Sequence, residues 1–271
     1  QDKAKAPSSC RGQKRRMRLG WLCLTLAVSL TACAPSLTDQ WTKGETGTVV
    51  RIIDGDTLVL NGGQVVRLVS IEAPRTASRD RPEDPYGEQS RELLTQLALG
   101  REVQLYYPGL TEDRYERALA QVTLKTESGE MIWLNEEMVA RGGAWVRIFP
   151  DTGAGSRGLW EAETTARQVG TGVWATLDPS DIDTVRTAEG AFHLLIAQLS
   201  DATFDEEQRE CRYRLGDTGV TASYDSPTGE CQTFDDEPRE LRGWARNGMI
   251  YLNSPDNIRP VFNARAKISP E

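Results

Sequence analysis

Three short β-rich runs between residues 48 and 71 constrain the fold of this chain most strongly. Residues 48–53 and 57–60 flank Asp54-Gly55-Asp56, and residues 64–71 follow an Asn61-Gly62-Gly63 turn. Strands that are this close in sequence, with turns this tight, pair antiparallel with their neighbours. The segment is therefore predicted to be a three-stranded meander.

The following residues continue in an order that suits a closed barrel. After the meander, the sequence predicts a helix at residues 86–99, strands at 102–107 and 118–124, and helices at 134–141 and 159–168. Leu93, Leu94 and Leu97 group within the first helix, and Gly100 follows it as a stop signal. This order matches an OB-fold barrel with packed helices, an α+β fold, over residues 45–176.

The C-terminal third is predicted to be a second domain. Residues 177–186 are polar and are interpreted as a linker to a small, mostly β domain at residues 187–271. Cys211 and Cys231 are the cysteines outside the first 33 residues, and a disulfide between them would staple this domain. Two free thiols are the alternative. A zinc site would need further ligands, and the single histidine, His193, lies in an apolar run that favours a structural role.

Residues 1–44 are predicted to direct export and attachment to a membrane. A basic run at residues 14–18 precedes an apolar stretch at 21–30, which is short for a membrane span. Leu30-Thr31-Ala32-Cys33 resembles the end of a bacterial lipoprotein signal. The pattern predicts a signal over residues 1–33, with Met17 as an alternative start, a lipidated Cys33 and a tether over residues 34–44. Ala34 after the cysteine favours the outer membrane, on its periplasmic or surface side. An ordinary signal peptide and an uncleaved anchor are the alternatives.

Charge limits the partners of the chain. The net charge is −8, and residues 1–32 contribute +6, which leaves −14 for the remainder. An acidic surface repels phosphate backbones, so general coating of nucleic acid is not expected. A site that recruits a divalent cation is still compatible with a phosphate substrate, because the cation supplies local positive charge.

Asp54 and Asp56 are the first candidates for chemistry. Two carboxylates that converge at a turn suit a hard cation such as calcium, although Asp-Gly-Asp-Thr also fits a plain turn. Arg67 follows on the third predicted strand, next to the acidic pair, and this position alone favours a structural salt bridge.

Further runs place these residues in a known order. They are Val66-Arg67-Leu68, Ile71-Glu72-Ala73-Pro74, Asp113-Arg114-Tyr115-Glu116-Arg117 and Leu134-Asn135-Glu136-Glu137. With Asp54-Gly55-Asp56-Thr57, this order resembles the staphylococcal nuclease (thermonuclease) family over about 130 of the 271 residues.

The resemblance implies a calcium-dependent phosphodiesterase site. The implied residues are Asp56 and Glu72 as calcium ligands, Ala73 as a carbonyl ligand, Asp54 as a carboxylate that orients water or ligands around the ion, Arg67 and Arg117 as catalytic residues that clamp the scissile phosphate, and Tyr115 as a nucleotide contact.

Arg75 departs from the family pattern, which has a glutamate here as the general base. A guanidinium cannot accept a proton near neutral pH. Either another group replaces the base, or the enzyme is slowed by the roughly 10²–10⁴-fold that a general base contributes, or the domain binds without cleaving. The candidate replacements are Asp80, Glu83, Asp84, Glu72 and metal-bound water.

A second departure concerns nucleotide stacking. Ile148 and Pro150, with Phe149 between them, occupy the positions of the family's second aromatic platform. Stacking of the nucleotide is therefore expected to be weaker or different.

The sequence thus predicts an exported, calcium-dependent nuclease that cuts DNA or RNA and is a monomer held to the cell envelope by a lipid anchor. The alternative is a catalytically impaired, nuclease-like binding or assembly module of the envelope, favoured by Arg75 and the acidic surface. A third interpretation leaves the function to the domain at residues 187–271.

Overall fold

The computed structural model describes residues 37–175 and 179–262. The predicted signal segment and the predicted lipidation site at Cys33 lie outside these residues. Within the described ranges, no helix is both long and apolar enough to cross a membrane.

Residues 37–175 contain a closed barrel with helices packed on it. Its elements are β1 (Thr42–Asp54), β2 (Thr57–Leu60), β3 (Val65–Leu68), β4 (Ile71–Glu72), α1 (Gly87–Ala98), β5 (Glu102–Tyr107), β6 (Ala118–Lys125), β7 (Met131–Trp133), α2 (Leu134–Ala140), β8 (Trp145–Val146) and α3 (Arg157–Val169). The strand order is β3-β2-β1-β5-β6-β7, and parallel pairing of β3 with β6 closes the barrel. The predicted OB-like barrel with helices is confirmed.

The length of β1 explains how one meander becomes a barrel. The second half of β1 pairs with β2 and its first half pairs with β5, with register shifts in both pairings. Such irregularities bend a strand and increase its twist, which lets it serve both sides of the barrel. The barrel interior is filled by fully or almost fully buried apolar side chains, including Val49, Leu58, Leu68, Leu105 and Leu124.

Residues 179–262 form a second β-rich region. Its elements are α4 (Ile182–Thr187), β9 (Glu189–Ala197), β10 (Leu199–Asp205), β11 (Glu210–Leu215), β12 (Thr221–Asp225), β13 (Arg239–Arg246), β14 (Met249–Asn253) and β15 (Ile258–Pro260). One sheet runs in the order β10-β11-β12-β14-β13-β15, and β9 also pairs with β13. Short 3₁₀ helices occur at Leu37–Gln40, Gly172–Ala175 and Pro255–Asn257.

Two local features of this region have simple causes in the sequence. The hairpin of β13 and β14 turns at Asn247 and Gly248, which have φ angles of 52° and 75°. Asn and Gly tolerate this left-handed conformation better than other residues, which is why the pair signals a hairpin. A disulfide joins Cys211 to Cys231.

Two segments predicted as connections contain regular structure. The tether predicted for residues 34–44 overlaps β1, and Trp41 is only 7% exposed, with Nε1 donating to the Ala154 carbonyl at 2.9 Å. The linker predicted for residues 177–186 includes α4, where Val185 is buried. In both segments, one large apolar side chain packs into a core despite polar neighbours.

A buried ion-pair network connects the barrel to the second region. Arg242 on β13 donates to both oxygens of Glu163 on α3, at 2.6 and 2.7 Å, and also pairs with Glu240. Arg167 on α3 reaches Glu240 at 2.7 Å. Burial lowers the pKa of Arg242, but the two carboxylates outweigh burial and raise its pKa overall. Charge pairing therefore fixes β13 against α3.

Candidate active site

A cavity of about 660 Å³ opens beside the first turn of the barrel and extends to β13. It collects every residue predicted for the phosphodiesterase site. Its charged lining is balanced, in a chain whose net charge is −8. The charged residues that line it are Asp54, Asp56, Glu72, Asp113, Asp151, Arg67, Arg75, Arg114, Arg117 and Arg147.

The turn between β1 and β2 holds the two aspartates. Asp54 pairs with Thr57 across the turn, and the Asp56 amide donates to Asp54 Oδ1 at 3.2 Å. Gly55 is required for space: a Cβ there would lie 1.8 Å from Ser90 Oγ and 2.8 Å from the Ala73 Cβ. Glycine at position 55 therefore allows the turn to pack closely against α1.

Arg67 connects the two predicted calcium ligands. Its guanidinium pairs with Asp56 and with Glu72 Oε2, the latter at 2.9 Å. Asp56 and Glu72 are 4% and 5% exposed, and Asp56 Oδ2 also accepts the Ala73 amide at 2.7 Å. Two buried carboxylates thus converge on one cationic group.

Electrostatics at Arg67 reflects several neighbours. Burial is the main cause that lowers its pKa, and the positive charges of Arg117 and Arg147 lower it further, against the opposing effect of Glu72 and Asp54. An arginine stays protonated at neutral pH. The mutual repulsion of these three guanidiniums makes the cavity receptive to an anion.

Arg117 is presented by a tight turn. Asp113 Oδ1 accepts the amides of Tyr115 and Arg117, and Glu116 has a left-handed φ of 61°. Asp113 Oδ2 accepts Arg117 Nε at 2.8 Å. Burial raises the pKa of Asp113, but the hydrogen bonds from Arg117 hold it below its usual range. Tyr115 is 63% exposed and also lines the cavity.

Arg75 occupies the position where the family resemblance implies a general base. In this structure it connects the loop that carries Asp84 to β13 of the second region. It donates to Asp84 Oδ2 through Nε at 2.9 Å, and its guanidinium lies 4.9 Å from the ring centroid of Trp244 on β13. Burial raises the pKa of Asp84, but the hydrogen bonds and charge of Arg75 bring it below its usual range. Asp84 is therefore a poor base.

The other loop carboxylates lie outside the described lining of the cavity. Asp80 and Glu83 are absent from the described lining of the cavity, and Glu83 Oε1 accepts the Glu88 amide at 2.8 Å. Glu72 does line it, and so does Asp54, which forms no ion pair with any described residue. Asp54 therefore faces the cavity without a cationic partner among the described residues.

The sequence did not identify Arg147 and Trp244 as site residues. Arg147 directly follows β8, which pairs with β4, so Arg147 Nη1 reaches Glu72 Oε2 at 2.9 Å. Trp244 and the half-buried Phe149 supply aromatic surface to the cavity. Contacts between segments about 100 residues apart leave no spacing signal in the sequence. The sequence predicts a small β domain that contains Trp244, but not the position of that domain beside the barrel.

Ile148 and His193 both have structural environments. Ile148 is fully buried, and its amide and carbonyl are both bonded to the side chain of Asn257. His193 on β9 contacts Ser180 Oγ through Nδ1 at 2.9 Å. Burial is the main cause that lowers the pKa of His193, which favours the neutral ring.

Comparison with known proteins agrees with this geometry. A family model described as "Staphylococcal nuclease homologue" matches residues 65–176. Micrococcal nuclease of Shigella flexneri is 33% identical over 161 residues, which cover 57% of this chain and 83% of that protein. The chain belongs to the staphylococcal nuclease family.

Other family members are more distant. The thermonuclease of Staphylococcus hyicus is 26% identical over 134 residues, which cover 48% of this chain and 76% of that protein. A probable endonuclease lcl3 of Aspergillus flavus is 33% identical over 122 residues, which cover 40% of this chain and 42% of that protein. These staphylococcal nuclease relatives support a nuclease function for the barrel.

Proposed function

We propose that this chain is an exported, calcium-dependent nuclease that hydrolyses phosphodiester bonds of DNA or RNA in the cavity beside the first turn of the barrel. The single observation that carries the proposal is the convergence of Asp56 and Glu72 on Arg67, with Arg117 on the same cavity. Paired carboxylates and forked guanidiniums are the groups that phosphodiester hydrolysis requires.

The arginines would act on the phosphate. Attack on a phosphodiester places negative charge on the oxygens around phosphorus, and preorganised guanidinium donors stabilise that charge. Arg67 is held by two carboxylates and Arg117 by Asp113, so neither has to be ordered when substrate binds. Asp54 would orient the attacking water, since it lines the cavity and forms no ion pair with a described residue.

Calcium fits the chemistry of the donor set. Asp56 and Glu72 present only oxygen, the ligand type that calcium prefers, and a calcium ion would share these carboxylates with Arg67. In the described residues, no three acidic, histidine or cysteine side chains form a metal-binding group, so the Ala73 carbonyl and water would complete the shell. When bound, calcium would supply positive charge against the phosphate and lower the pKa of water.

The disulfide supports export to an oxidising compartment, in addition to the signal predicted from the sequence. Disulfides persist in such compartments and are rare in the cytosol, and Cys211 and Cys231 are joined. A lipid anchor at Cys33, in the outer membrane on its periplasmic or surface side, is the location that this proposal includes. A monomer is the assembly that it assumes.

The test measures cleavage of denatured DNA, and of RNA in parallel, with calcium or with a calcium chelator. We expect fragments of at least one polymer in calcium, none in chelator, and recovery when calcium is restored in excess. Calcium-independent cleavage would remove the cofactor from the proposal. Intact DNA and RNA at high protein concentration would remove the nuclease itself.

One observation favours a second function, a nuclease-like binding or assembly module. Arg75 stands where a general base is expected and is engaged by Asp84 and Trp244. This alternative predicts calcium-assisted binding of a labelled oligonucleotide without cleavage. Robust cleavage by the unmodified chain would reject it.

A further inference from the structure

Arg147 lines the cavity and contacts Glu72, one of the predicted calcium ligands. Its Nη1 donates to Glu72 Oε2 at 2.9 Å, the same oxygen that Arg67 Nη2 contacts at 2.9 Å. Glu72 Oε1 accepts no hydrogen bond from the described residues. Two guanidiniums thus neutralise one side of the carboxylate and leave its other oxygen free.

The second region of the chain holds Arg147 in this position. Arg147 Nη2 donates to Asn253 Oδ1 at the end of β14 at 2.8 Å. The guanidinium lies 4.5 Å from the ring centroid of Phe149 and 5.8 Å from that of Trp244. An aromatic face favours a cation, and the amide acceptor fixes its orientation.

Arg147 also has unused hydrogen-bonding capacity. A guanidinium has five N–H donors, and the contacts to Glu72 and Asn253 use two of them. The side chain is only 10% exposed, and its Nε is buried without a hydrogen-bond partner among the described residues. Buried donors are normally satisfied, so the unpaired N–H groups of this residue are available to a further acceptor that enters the cavity.

We propose that Arg147 is a third phosphate-binding guanidinium of the cavity, that Asn253 is its positioning residue, and that Arg147 weakens calcium binding at Glu72 while it strengthens nucleotide binding. This inference rests on the proposed nuclease function and assigns the C-terminal sheet a role in it. The ligand class is a nucleotide phosphate.

Two substitutions separate charge from positioning. Arg147→Met removes the charge and keeps an apolar stem against Phe149. Asn253→Gly removes the acceptor and keeps the charge, and glycine tolerates the φ of 67° at this position. Arg141→Met is the matched control, because Arg141 is an exposed arginine outside the described cavity lining.

The measurements are calorimetric titrations of the whole chain with calcium, and with thymidine 5′-monophosphate in saturating calcium. For Arg147→Met we expect calcium affinity to rise at least about threefold and nucleotide affinity to fall about tenfold or more, since like charges repel and opposite charges attract. For Asn253→Gly we expect nucleotide affinity to fall several-fold and KM for single-stranded DNA to rise, with calcium affinity and kcat within about twofold. Arg141→Met should match wild type.

Opposite changes in the two affinities distinguish this role from a structural one, which would lower both. A fall in both affinities for Arg147→Met, or unchanged nucleotide affinity, would overturn the inference. If Arg147→Met does not fold, Asn253→Gly decides: unchanged nucleotide affinity and KM reject the proposal. A wild-type chain that binds the nucleotide but cuts no DNA would defeat the nuclease function alone. If the wild-type chain cuts DNA but both variants bind calcium and the nucleotide as the wild type does, only this inference is rejected.

Discussion

Arg242→Met is expected to lower the free energy of unfolding by about 3–5 kcal/mol, because it leaves buried carboxylates without their partner. Arg242 and Glu163 have side chains that are 1% and 3% exposed, so water cannot replace the lost hydrogen bonds. The Glu163 carboxylate would keep only the Val146 amide and a 3.6 Å contact with Arg167. The network is the main polar connection between α3 and β13, so its loss should also loosen the second region.

Urea unfolding followed by circular dichroism measures this loss. The control is Arg157→Ala on the same helix, whose pair with Glu161 is exposed and should contribute within about 0.5 kcal/mol. An Arg242→Met chain that unfolds at the wild-type urea concentration would show that the two regions are held together in another way. The measurement needs no assumption about activity.

Arg67→Ala is expected to reduce kcat for nucleic-acid cleavage by about 10²–10³-fold, the effect of removing one donor from a developing oxyanion. The loss should appear in kcat more than in KM, because the interaction strengthens as charge develops. Arg67→Lys should recover only part of the rate, since an ammonium lacks the planar fork that spans Asp56 and Glu72.

The control for this prediction is Arg141→Ala, an exposed residue paired with Glu137 on the surface. Arg67→Ala also leaves the buried Asp56 without an ion pair among the described residues and leaves Glu72 paired with Arg147 alone, so rates are compared only at temperatures where circular dichroism shows a folded chain. Retention of more than a tenth of the wild-type kcat would mean that Arg67 is a structural ion pair, the alternative that its sequence context left open.

The predictable part of the fold has local causes. The meander of β1, β2 and β3 follows from β-rich runs and the turn at Asn61-Gly62-Gly63, and α1 follows from its grouped leucines and Gly100. The third predicted strand is the exception, because Ser70 has a φ of 65° and divides it into β3 and β4. That break turns Glu72 towards β8, and a β-rich pattern cannot encode it.

The unpredicted part depends on contacts between distant segments. The sequence identified Arg67, Glu72 and Arg117 through their order along the chain. All three belong to the barrel domain, so that order determines where they lie. Arg147 and Asn253 are 106 residues apart, and only the docking of β14 brings them together. No periodicity or turn signal records such docking, so the contribution of the C-terminal sheet to the cavity becomes visible only in three dimensions.

The structure also changes the effect that is expected from the substitution Arg75→Glu. The sequence alone suggests that this substitution would restore a general base in an inert protein. In the folded chain, a glutamate here would face Asp84 and lose the contact with Trp244. Like charges at this distance repel, so a loss of stability would mask any gain in catalysis. Position 75 is thus better interpreted as part of the docking surface for β13.

The central claim is that the cavity around Asp56 is where phosphodiester bonds are cut. The most direct measurement is single-turnover cleavage of a labelled single-stranded DNA oligonucleotide in calcium by wild type and by Asp56→Asn. Asparagine keeps the size of the side chain and an acceptor for the Ala73 amide but removes the charge that faces Arg67. We predict cleavage by wild type and a rate at least about 100-fold lower for the folded variant. Equal rates for the two proteins, or no cleavage by wild type in excess over the oligonucleotide, would contradict the account.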